Sequence, residues 1–224
     1  MNKVKNIGRD IGKAMSSPFT SALAQTNWLT AAISTYFSGL YQQEQMEALT
    51  RLAHLLNEKV RNIEESKIDK EFFESDIGKR TIGKIFKSVV RDNRIDKIRA
   101  MSCLTTNLYT KNKLTFDERE LFVDILDTLN YLQLSILQKA VIEMRTRTAK
   151  HRGFGWEEYE KEFQDKGISK SLLLQSIRVL ESNGLINENN ATIVEKDKTH
   201  FITEFGEVFY DFISMEKLSE SYYL

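Results

Sequence analysis

GISKSLLLQSIRVLESNGLI, residues 167–186, is the stretch that decides how the end of this chain folds. Ser169 stands where a helix takes its cap. Asn183 and Gly184 stand where it stops, because glycine accepts the left-handed backbone that closes a helix. Working outward toward the C-terminus, ATIV at 191–194 and THFI at 199–202 read as two strands joined by the polar tip EKDK. Thr203 then caps a last helix, EFGEVFYDFI. In the other direction, Trp156, Tyr159 and Phe163 mark a short helix, and TRTAKHRGFG at 146–155 is polar and glycine-containing, so a join is expected near it. Before it runs a helix through Leu132, Ile136, Leu137, Ala140, Val141 and Met144. From Leu132 the order is therefore helix, helix, helix, hairpin, helix.

That order, with LESNGLI closing the third helix and ITEFG following a strand, resembles a winged-helix domain. The resemblance covers about the last ninety residues. It implies that the third helix is the reader and the hairpin the wing. The expected organisation is a mainly α protein: an N-terminal helical bundle over 1–131, then a winged-helix-like domain with a two-stranded hairpin over 132–224. PFTSALAQ before a long helix, KEFFESD, and DERELFVDILDTLNYLQLSIL before the terminal domain are similar to uncharacterised bacterial helical proteins from mobile-element or defence loci. No activity comes with that likeness.

The body is helical by spacing and composition. A single proline, Pro18, and ten glycines in 224 residues leave long helices uninterrupted. Leu29, Ile33, Tyr36, Leu40, Leu49, Leu52, Leu56, Val60 and Ile63 trace one apolar stripe, with Asn27 as its cap. Ile82, Ile85, Phe86, Val89 and Val90 form the face of another helix, and Ile98, Met101, Leu104, Thr105 and Leu108 of the next, with RDNR between them. Thr115 and Glu118 fit a capping box opening a helix that buries Leu121, Phe122, Ile125, Leu126 and Leu129.

Charge then bears on partners. With 32 basic and 32 acidic side chains the chain carries no net charge, so no global field draws it to a polyanion. Residues 151–224 hold eight Lys and Arg against fourteen Asp and Glu, a net of minus six. A duplex is held mainly by neutralising its phosphates. Lys170, Gln175 and Arg178 on the reader helix, with Lys196 and Lys198 on the wing, are the candidate nucleic-acid contacts, and they are a thin set. A protein partner, or a second copy of the chain, is the leading expectation; a DNA-binding transcriptional regulator and a membrane-active effector using the uncharged N-terminal helices are the alternatives.

Residues 14–43 contain no charged side chain, in a chain where 29% of residues are charged. Gln25, Thr26, Asn27, Thr30, Ser34, Thr35 and Ser38 make the run too polar to span a bilayer. The leading reading is a helix pair buried in the bundle, where serine and threonine satisfy themselves on the backbone. Two others stay open. Lys3, Lys5, Arg9 and Lys13, beside the apolar Val4, Ile7, Ile11 and Met15, form a basic amphipathic segment suited to peripheral membrane contact. Trp28, Tyr36, Phe37 and Tyr41 are aromatic anchors for self-association.

Catalytic patterns do not emerge. His54, His151 and His200 lack ligand spacing, and Cys103 falls on an apolar helix, which favours an inert core thiol. No enzyme activity, cofactor, metal or small-molecule substrate is expected. One cysteine and no secretory leader lead to a cytoplasmic expectation.

Overall fold

The computed structural model describes residues 43–60, 63–146, 154–189 and 199–214. The basic segment Lys3, Lys5, Arg9 and Lys13, the aromatic set Trp28, Tyr36, Phe37 and Tyr41, and the wing residues Lys196 and Lys198 lie outside them. The described residues are mostly helical and divide into two compact units, the first ending at Thr128 and the second running from Leu129 to Ser214.

In the first unit the order is α1 (Gln43–Val60), a short 3-10 turn (Glu65–Lys67), α2 (Lys70–Glu74), α3 (Asp76–Arg91), α4 (Ile95–Leu108) and α5 (Phe116–Thr128). The central helix is α4, packed against α1, α3 and α5. Ile98, Met101, Leu104 and Leu108 are fully buried, and Cys103 is buried beside them. Its hydroxyls do not offend this core, because Thr105 and Thr106 donate back to the carbonyls of Met101 and Ser102 at 2.6 and 2.8 Å. Such back-bonding lets a helix of middling hydrophobicity be covered on almost every side.

Local chemistry sets the breaks. Ser75 ends α2 and caps α3, accepting from the Gly78 amide at 2.9 Å and donating to the Phe72 carbonyl at 2.6 Å. The expected capping box is present: the Thr115 amide donates to Glu118 Oε2 at 2.7 Å and the Glu118 amide to Thr115 Oγ1 at 3.3 Å. One expectation fails on this helix, since Leu121 is 45% exposed. The buried arc of α5 runs through Arg119, Phe122, Val123, Ile125 and Leu126, and Leu121 falls beyond its edge.

Helices α3 and α5 meet along a charged seam. Arg80 grips Glu120 through two bonds of 2.7 Å, Lys84 reaches Glu120 and Asp124, and Arg91 reaches Asp127. The Arg80 guanidinium pulls the Glu120 carboxyl down to about 2, with Lys84 adding to it. A depressed carboxylate contributes stability above its unfolded value and loses it as pH falls toward the folded one. Glu120→Gln is therefore expected to destabilise at pH 7 by about 1 kcal/mol after solvent screening. The gap to wild type should narrow below pH 4.5 and close near pH 2 in urea titrations. In the first turn of α4, Lys97 is almost wholly buried and donates to the Leu126 and Asp127 carbonyls at the C-terminus of α5. Burial pulls its ammonium down to about 8.

The second unit runs α6 (Tyr131–Thr146), β1 (Phe154–Gly155), α7 (Trp156–Asp165), α8 (Lys170–Ser182), β2 (Ile186–Asn189), β3 (Thr199–Ile202) and α9 (Glu204–Ile213). The strands form an antiparallel sheet in the order β1-β3-β2, with Ile186 opposite Ile202 and Phe154 opposite His200. A second capping box opens α6: the Asn130 amide donates to Gln133 Oε1 at 2.8 Å and the Gln133 amide to Asn130 Oδ1 at 3.0 Å. The core gathers Ile136, Leu137, Ala140 and Val141 of α6, Phe163 of α7, Leu173, Ile177 and Leu180 of α8, and Phe209 and Ile213 of α9.

The first strand of the pair differs from expectation. The strand that pairs with THFI is INEN at 186–189, while ATIV at 191–194, expected in that place, lies outside the described residues. INEN carries one apolar residue, but the chain leaving α8 at Gly184 is at once beside β3, so the partner and not local propensity makes it a strand.

Candidate functional site

The residues carrying the terminal pattern join its elements. Gly184 has φ +69, and its amide and that of Leu185 donate to Glu181 and Leu180, closing α8. Thr203 Oγ1 donates to the Gly184 carbonyl at 2.6 Å and accepts from the Gly206 amide at 2.8 Å, so one hydroxyl ties the end of α8 to the start of α9. A Cβ on Gly206 would stand 1.9 Å from the Leu185 carbonyl oxygen. LESNGLI and ITEFG are thus two halves of one structural joint.

Helix α8 itself offers the candidate surface. Leu173, Ser176, Ile177 and Leu180 face inward. By helical spacing Ser171, Gln175, Arg178 and Ser182 line up along the exposed side, all open to solvent. Leu172 and Leu174 flank that stripe, 50% and 37% exposed. Lys170, the cation at the leading turn, has Nζ 2.8 Å from Glu160 Oε2 of α7. Glu160 is fixed in turn by Gln164, whose Nε2 donates to Oε1 at 2.8 Å.

Of the five candidate nucleic-acid contacts, Lys170, Gln175 and Arg178 are all exposed on α8, Gln175 and Arg178 along one side and Lys170 at its first turn. Lys170 carries a carboxylate partner that the sequence reading did not assign. Spacing gave no hint of it, since Glu160 is ten residues earlier and on another helix. Leu172 and Leu174 are exposed where helical spacing alone leads one to expect core. Among the described residues no helix is long and apolar enough to cross a membrane, and no cluster of His, Cys, Asp or Glu is arranged to hold a metal ion. Compared with protein-family models, with curated proteins and with solved structures, the chain matches none.

Proposed function

We propose that the second unit is a winged-helix domain whose third helix docks a protein, and that the chain is a non-enzymatic interaction or regulatory protein. The element order and the strand order β1-β3-β2 support the domain assignment. One observation carries the docking assignment: the exposed side of α8 presents Leu172 and Leu174 to water while its leading lysine is already ion-paired. A face that met phosphates would hold free cations there and keep its leucines inside. Exposed leucine beside hydrogen-bonding Gln175 and cationic Arg178 suits a polypeptide bearing an apolar patch and an acidic group opposite Arg178. The resemblance to defence and mobile-element proteins makes a bacterial assembly of that kind, in the cytoplasm, the setting of this reading.

A duplex titration tests it. Wild type and the Lys170→Glu, Arg178→Glu double variant should bind a labelled DNA duplex alike, at roughly 10⁻⁴ M or above, the weak limit of non-specific binding. Micromolar affinity that falls steeply with salt and vanishes in the double variant would establish the DNA-binding alternative instead.

A further inference from the structure

We infer that Glu160 is a specificity-determining residue of the α8 face, a positioning carboxylate that holds Lys170 and keeps this face from gripping polyanions. The inference rests on the docking reading of α8 and adds the device that excludes the wrong class of partner.

The geometry is asymmetric in an informative way. Glu160 is largely covered, its side chain 18% exposed, whereas Lys170 is 56% exposed. The carboxylate is braced by Gln164 and stays with α7, so it holds the lysine more than the lysine holds it. As a stabilising contact such a pair is worth little, since ion pairs with an exposed partner contribute about 0.2–1 kcal/mol. Its effect on recognition is larger. Lys170 is the first residue of α8, at the turn that leads into any groove the helix enters, and the helix N-terminus there already favours anions. An unpaired lysine at that point would be a phosphate contact. Paired with Glu160, it presents no net charge to an approaching backbone. Specificity built this way, by a carboxylate set against a competing ligand, is a general device of binding surfaces.

The test uses the full chain and a labelled DNA duplex of arbitrary sequence, with binding followed across a salt series. Glu160→Gln should tighten binding about threefold or more at low salt and steepen the logarithmic salt dependence by about 0.9, the signature of one added phosphate contact. Glu160→Asp, which keeps the charge, should behave as wild type, and adding Lys170→Met to Glu160→Gln should abolish the gain. No gain in Glu160→Gln, or a gain that survives Lys170→Met, overturns the inference while leaving the docking reading intact. Tight wild-type binding lost on Lys170→Met overturns both. Circular dichroism of each variant separates these outcomes from unfolding.

Discussion

Arg119→Ala is expected to destabilise the first unit by about 3–5 kcal/mol, because it breaks a buried ion pair and leaves the other charge behind. The Arg119 side chain is 3% exposed, and its Nη2 lies 2.7 Å from Asp69 Oδ2. Nη1 donates to the Leu108 carbonyl at 2.9 Å, at the C-terminal end of α4. The guanidinium stacks 4.5 Å over the ring of Phe72 and 5.5 Å from that of Phe116. One side chain therefore ties the turn before α2, the end of α4 and the start of α5. Arg119→Lys should recover only part of the loss, since an ammonium cannot serve the carboxylate, the carbonyl and both rings from one plane. Urea unfolding of the three proteins checks this, and a loss below about 1 kcal/mol for alanine would show the cluster to be loosely held.

Gly206→Ala is the corresponding lesion in the second unit. The added methyl meets the Leu185 backbone oxygen at 1.9 Å, and backbone on both sides leaves no rotamer to relieve it. Parting them means pulling α9 from the end of α8, with loss of the Thr203 bonds, so about 3 kcal/mol or more is expected. Gly167→Ala is the contrast. Nothing lies within 4 Å of a Cβ there, and only its φ of +78 objects, so about 1 kcal/mol is expected. Hydrogen exchange at the amides of α8 and α9 should rise strongly in the first variant and little in the second. Equal protection in both would mean that the α8–α9 joint does not depend on a bare glycine.

What was legible in the sequence was local. The Ser169 cap, the Gly184 stop, the Thr115–Glu118 box and the Thr203 cap each depend on residues within a few positions, and all are found as read. The strand β2 was not legible, because INEN becomes a strand only through pairing with THFI thirteen residues on. The α3–α5 seam was invisible for the same reason: Arg80 and Glu120 are forty residues apart, and each alone is an ordinary surface charge. At the candidate face, the sequence placed Lys170, Gln175 and Arg178 correctly on one helix but could not price them. Whether a lysine is available depends on what a neighbouring helix brings to it, and here α7 brings Glu160.

The most direct measurement is a photo-crosslink from the exposed face of α8. A photoreactive amino acid in place of Leu174 of the full chain, irradiated in the expressing cell, is predicted to give a discrete adduct that protease destroys and nuclease leaves intact. The same probe in place of exposed Lys161 should give none. A nuclease-sensitive adduct, or no adduct from position 174, would contradict the assignment of this face to a protein partner.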